Sequence, residues 1–207
     1  MSAASRAPLR SNRAHRRVVL TTAGAAVAAL LMSACSSGGT SGGGGDTNFV
    51  MGKDGISTAQ KGERAEAPDL SGRTVDGSTA DIASFKGKIV VLNVWGSWCA
   101  PCRAEAPNLE KVNKDLKAKG VQFVGINTRD TSVQNARSFE KDEGITFPSL
   151  YDPTGKLMLR FKKGTLNPQA VPSTLILDRE GKIAARSLAA LSEEKLRKMI
   201  APVLAEK

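Results

Sequence analysis

Cys99 and Cys102 are the residues of this 207-residue chain whose type and spacing most directly carry chemistry. They lie in Trp-Gly-Ser-Trp-Cys-Ala-Pro-Cys-Arg, residues 95–103, where a long apolar run gives way to a helical pattern. On the first turn of a helix, side chains three apart share a face, so two such sulfurs can be joined with little backbone movement. Pro101 lies near the helix start, where its missing N–H costs little. Cys99 falls where orphan backbone N–H groups and the positive end of the helix dipole are concentrated. Both stabilise a thiolate, the attacking species in thiol–disulfide exchange. Cys102, one turn further in, is expected to be more buried and to resolve a mixed disulfide by attacking Cys99.

Other uses of the pair fit less well. A structural zinc site needs four ligands, and the only remaining cysteine is Cys35 and the only histidine His15. A purely structural bridge would close a very small ring and constrain little of the unfolded chain. Two soft thiolates suit Cu(I), so a copper-carrying role is a further reading, although known copper carriers of this kind use a longer cysteine spacing and a distal histidine. With His15 inside the leader described below, a histidine-based catalytic dyad or triad is excluded from the mature chain. No metal and no bound cofactor is expected.

The elements that must position the pair can be read from periodicity. Ile89–Trp95 is continuously apolar and rich in β-branched residues, which predicts a central strand buried on both faces. Residues 101–119 predict a helix, with Leu109, Val112 and Leu116 on one face and Gly120 at its end. A strand at 121–127, a helix at 133–143, a strand at 149–151 and a helical piece at 155–161 follow. Ser173–Leu177 and 182–187 predict a closing hairpin around Asp178-Arg-Glu-Gly181, and Ser192 caps a last helix with Glu193 and Glu194 in its first turn. Upstream, turn signals at Ser71-Gly72, Asp76-Gly77 and Lys86-Gly87 predict an N-terminal β-hairpin and a helical turn over Ile82–Phe85. This alternation implies parallel strands with crossover helices, and the closing hairpin adds an antiparallel edge. In residues 36–64, Phe49, Val50, Met51 and Ile56 are the apolar points of a first short strand.

The N-terminus reads as an export leader. Five arginines and no acid precede the apolar run Val18 to Met32, which at 15 residues is short for a membrane span of about 20. The following Ser33-Ala34-Cys35 resembles the lipobox of bacterial lipoproteins, with Met32 where that family usually carries Leu, Val or Ile. The resemblance implies that Cys35 is lipidated and becomes the mature N-terminus. A polar, Gly-rich stretch then reads as a flexible tether. Arg16-Arg17-Val-Val-Leu also resembles a twin-arginine signal, which leaves that route and the general secretory route both open. The expected division is a leader at 1–34, lipidated Cys35 and tether at 35–66, and one folded domain at 67–207. Without residues 1–34 the chain carries 25 basic and 20 acidic residues, down from a net charge of +10. That mild excess suits an anionic membrane surface; no basic cluster interleaved with aromatics points to nucleic acid.

From Ala67 onward the sequence resembles the TlpA/ResA-like branch of the thioredoxin superfamily, membrane-tethered thiol–disulfide oxidoreductases of bacteria. The residues that carry the resemblance are Pro68-Asp69-Leu70, the run from Gly87 to Trp95, Trp98-Cys99-Ala-Pro-Cys102-Arg103, Glu105, Pro107 and the run from Val171 to Asp178. It implies an α/β thioredoxin-like fold, a central mixed β-sheet flanked by helices with an N-terminal β-hairpin extension. It implies that Pro172 is cis and faces the disulfide, leaving the backbone at Val171 to pair with an extended substrate segment. Trp98 is implied to shield the site and contact partners, whereas Trp95 reads as core. Many thioredoxins carry an Asp at the position of Asn93, which cannot take a proton. Glu105 is implied to fill a related role by coupling to the thiols and shuttling the proton of Cys102; a solvated helix-face carboxylate is the other reading. Arg103 reads equally as a charge near the thiols or as a solvent-facing residue. The implied partners are a protein disulfide or dithiol substrate, a membrane thiol electron carrier as donor, and the membrane itself. Direction stays open between a reductase, with haem-attachment cysteines of c-type apocytochromes among its substrates, and an oxidase of exported proteins. Peroxide reduction is disfavoured, because Gly96 and Leu92 stand where a peroxiredoxin carries Thr or Ser and Pro.

Overall fold

A computed structural model describes residues 47–206. The leader, Cys35 and the glycine-rich stretch lie outside the described residues. β1 (Val50–Met51) and β2 (Ile56–Thr58) come first, followed by a hairpin of β3 (Ser71–Arg73) and β4 (Thr79–Asp81) and a 3-10 turn at Ile82–Phe85. Then come β5 (Ile89–Trp95), α1 (Ala100–Leu116), β6 (Val121–Thr128), α2 (Val133–Asp142) and β7 (Ser149–Asp152). A short 3-10 turn at Met158–Arg160 leads to β8 (Ser173–Leu177), β9 (Ile183–Ser187) and α3 (Glu193–Ala205).

Seven strands form one mixed sheet in the order β1-β2-β9-β8-β5-β6-β7. β5, β6 and β7 are parallel, so their C-terminal ends lie together, and β8 runs antiparallel to β5. Every residue of β5 is buried, as its unbroken apolar run requires. Ile89 and Val91 face a core shared with Leu109, Val112 and Leu116 of α1 and Leu196 and Ile200 of α3. Val90, Leu92 and Val94 face a second core, covered by Leu70 and Ile82 of the hairpin region and by Leu157, Met158 and Phe161. The hairpin, the helical turn after it and the Ser192 cap stand where the sequence places them.

Three expectations are corrected. The ordered fold starts upstream of residue 67: β2 pairs antiparallel with β9, and β1 with β2. Residues 50–66 are thus not simple tether. Arg64 within them donates to Asp178 at 2.9 Å and to both carboxylate oxygens of Glu206. In consequence the closing hairpin is not a sheet edge; β8 and β9 lie inside the sheet, and β1 forms the margin. The helical piece at 155–161 shrinks to Met158–Arg160. Asp152 accepts the N–H groups of Lys156 and Leu157 at 2.8 Å each, and Gly155 adopts φ 72°, which holds a tight turn where the helix would start.

Candidate active site

The disulfide forms at the C-terminal end of β5. Trp95 closes the strand, Gly96 to Trp98 make a short loop, and Cys99 is the N-cap of α1 in extended backbone conformation. Cys99 Sγ accepts the Cys102 N–H at 3.2 Å, and Pro101 stands in the first turn. Cys99 and Cys102 are bonded, with Cα atoms 5.3 Å apart. The first turn of α1 holds no acidic residue, and the positive end of the helix dipole faces the pair. Cys102 is the deeper of the two only narrowly: it is 1% exposed and Cys99 3%.

The Val171–Pro172 bond is cis, and the Val171 carbonyl oxygen lies 3.6 Å from Cys99 Sγ. The structure therefore brings Cys99, Cys102, Val171 and Pro172 together. Trp98 is beside them and half exposed, its indole N–H donating to the Thr128 carbonyl at 3.2 Å. Trp95 points into the core and stacks on Phe139 of α2 at 4.5 Å.

Glu105 is not a solvated helix-face carboxylate. It is 1% exposed, one turn past Cys102 on the inner face of α1. Its Oε1 accepts from Asn93 Nδ2 at 2.9 Å and its Oε2 from the Leu191 N–H at 2.9 Å. Asn93 uses its second N–H on Thr174 Oγ1 at 3.1 Å. One carboxylate thus ties α1 to the central strand, to the strand that follows Pro172 and to the start of the last helix. Burial pushes the Glu105 carboxyl up to about 7, against the two hydrogen bonds that favour its ionised form. Arg103 turns outward, pairing with Glu143 at 2.8 Å and lying over the Phe139 ring.

Two further contributors carry only a weak sequence signal. Asp130, buried just past β6, accepts the Ser97 N–H at 2.8 Å, the Ser97 hydroxyl at 2.5 Å and Asn127 Nδ2 at 2.6 Å. It fixes the loop that presents Trp98 and Cys99. Arg129 lays its guanidinium on the Trp98 ring, 4.4 Å from the centroid. A Thr-Arg-Asp run at the carboxyl end of a parallel strand was the available hint, because loops at that end of an α/β sheet build sites. Among the described residues, no group of three or more His, Cys, Asp or Glu side chains is placed to hold a metal ion.

A disulfide capping a helix behind a central strand, opposed by a cis-proline, defines the class: a thioredoxin-like thiol–disulfide oxidoreductase working through a Cys-X-X-Cys dithiol. Comparison with known proteins agrees. Residues 60–200 match the Redoxin family, and the chain belongs to that family, on its ResA-like side. The thiol:disulfide interchange protein HelX of Rhodobacter capsulatus is 35% identical over 151 residues, covering 72% of this chain and 80% of HelX. The thiol-disulfide oxidoreductase ResA of Bacillus subtilis is 30% identical over 132 residues, covering 64% of this chain and 68% of ResA. The crystal structure of a DsbF homologue from Corynebacterium diphtheriae superposes with a TM-score of 0.67 at 38% identity, covering 73% of this chain and 94% of that one.

Proposed function

We propose that this chain is an extracytoplasmic reductase of protein disulfides, tethered to the cell membrane through a lipid on Cys35. Reduced Cys99, as the thiolate, attacks one sulfur of a substrate disulfide. A mixed disulfide forms and the other substrate sulfur leaves as a thiolate. Cys102 then gives its proton to the Glu105 carboxylate, attacks Cys99 Sγ and expels the second substrate sulfur. One departing thiolate takes the Cys102 proton back from Glu105 and the other takes a proton from solvent, so the substrate gains two electrons and two protons and the Cys99–Cys102 disulfide is left. Val171 offers its backbone to an extended substrate segment, Pro172 shapes that approach, and Trp98 covers the exposed flank. A membrane thiol carrier restores the dithiol.

The observation that carries the direction is the buried carboxyl of Glu105, ionising near 7 one helical turn from Cys102. Strong oxidants stabilise the thiolate of their reduced form. A buried carboxylate opposes a thiolate beside it, and the nearest cation on the helix, Arg103, is paired with Glu143. Both favour a reducing couple, despite the N-terminal position of Cys99. The leader, with Cys35, supports placement outside the cytoplasm, where disulfides persist and a dedicated reductase has substrates. Haem-attachment cysteines of c-type apocytochromes are the first substrates to try, on the strength of the ResA-like relationship.

The test is the reduction potential of the Cys99/Cys102 couple, poised in thiol–disulfide buffers and followed by tryptophan fluorescence, with Cys99→Ser as the blank. A value at or below about −250 mV is expected; a value near about −120 mV would overturn the reductase reading and make the chain a disulfide donor. Cys102→Ser, which cannot release a mixed disulfide, is expected to trap the substrate on Cys99.

A further inference from the structure

Arg129 is placed beside the disulfide in a way the exchange chemistry does not require. It follows β6 directly, with its backbone in the left-handed region at φ 59°. A bulky side chain adopts that region at a cost, which the surrounding structure must offset. Here the next residue, Asp130, is buried and locked by Ser97 and Asn127, so the chain must turn at Arg129. The result is a guanidinium spread over the half-exposed ring of Trp98, the residue that precedes Cys99. Arg129 is exposed and makes no ion pair among the described residues, while the Asp130 carboxylate is turned inward to its three donors. A cation held on an aromatic face keeps its outer edge free for a carboxylate.

The segment that leads into Val171 carries the same sign. The segment from β7 to Val171 begins at the sheet end where Cys99 lies and finishes 3.6 Å from Cys99 Sγ. Between Asp152 and Asp178 it contains Lys156, Lys162 and Lys163, with Arg160 donating to the Asp69 carbonyl at 2.8 Å, and no acidic residue. Arg186 anchors the Lys162–Lys163 turn by donating to the carbonyls of Gly164 and Thr165. Of the acids nearby, Glu143 is paired with Arg103, Asp130 is buried and Asp152 is engaged with backbone N–H groups.

We propose that Arg129 is a specificity-determining residue, which selects protein segments carrying a carboxylate next to the reactive cysteine. The proposal rests on the reading of this site as a reductase of protein disulfides and names the class of substrate it takes.

The test uses the full-length chain, reduced and desalted, against three peptides with an intramolecular disulfide, identical except for Asp, Asn or Lys beside the attacked cysteine. The single-turnover second-order rate constant is read for each. One partly exposed ion pair contributes up to about 1 kcal/mol, so the Asp peptide is expected to react about three- to fivefold faster than the Asn peptide, with Lys slowest. Arg129→Lys is expected to keep this order. Arg129→Glu is expected to reverse it, which loss of a merely structural contact would not do. An unchanged order in Arg129→Glu, or no order in the wild type, would overturn the proposal. If no peptide is reduced but the oxidised protein accepts electrons from their dithiol forms, the reductase reading fails. The same ranking, measured in that direction, then decides the role of Arg129 separately.

Discussion

The amide of Asn93 donates to Glu105 Oε1 at 2.9 Å, joining the central strand that leads to Cys99 with the helix that carries Cys102. Where many thioredoxins hold an acid on the strand, this chain holds the acid on the helix and a neutral donor on the strand. Ionisation of Glu105 is thereby felt at once by β5, by Thr174 of β8 and by the Leu191 N–H before α3.

A pH dependence follows, and its sign is fixed. The folded state holds the Glu105 proton near 7, and the unfolded chain holds it near the ordinary carboxyl value of about 4.5. The stability that this proton contributes is full below the unfolded value and is lost as the pH rises through 7. Glu105→Gln keeps the neutral shape at every pH. Relative to the wild type, it is expected to gain about 2–3 kcal/mol between pH 5 and pH 8. Urea unfolding of both oxidised proteins at the two pH values measures this. Glu140, also raised to about 7 by burial, is common to both and cancels in the difference.

Asp130→Ala is expected to destabilise the domain by about 2–3 kcal/mol, because it leaves the Ser97 N–H and hydroxyl and the Asn127 amide without their acceptor. The loop bearing Trp98 loosens with it. Thermal unfolding reads the first effect and quenching of tryptophan fluorescence by iodide the second.

Gly96→Ala tests the seat of Trp98 without touching the core. A Cβ on Gly96 would stand 2.5 Å from Trp98 Nε1, so the ring must leave its place and give up the Thr128 carbonyl. Stability is expected to fall by about 1 kcal/mol, the worth of one such hydrogen bond. The rate of mixed-disulfide formation should fall several-fold more than the stability loss explains. Stopped-flow fluorescence against a peptide disulfide provides the measurement.

Arg64→Ala is expected to cost about 3 kcal/mol, since it strips the buried Asp178 of its ion pair and frees Glu206 at the end of α3. A chain starting at residue 67 should lose at least as much, together with the pairing of β2 on β9. Denaturant titration of both against a chain starting at residue 47 tests whether the upstream strands belong to the cooperative unit.

How far the sequence exposes this architecture varies with the range of the interaction that decides each piece. Ile89–Trp95 announces itself, because a strand buried on both faces must be apolar throughout, and Cys99, Cys102 and Pro101 stand on adjoining residues. Ser192 and Gly120 are local signals obeyed locally. β2 has three residues and exists because β9 offers it a partner more than 120 residues later, and the two residues of β1 then pair on β2. No window of sequence contains that pairing. Asp130 escapes for the same reason: it reaches Ser97 across 33 residues, with no spacing rule to reveal it. The burial of Glu105 lies between these cases. Its helical phase with Cys102 was visible, but the Leu191 N–H that completes its setting is 86 residues away.

The margins of the sheet also bear on how the protein behaves when crowded. One margin ends in the two residues of β1, too short to template another strand. The other, β7, is already engaged by Thr74, bridged to Leu150, and by the Val75 N–H on the Ser149 carbonyl. Open edges are where sheet proteins polymerise, and among the described residues one is very short and the other is covered. Growth of the sheet by edge-to-edge pairing between copies is therefore disfavoured at either margin.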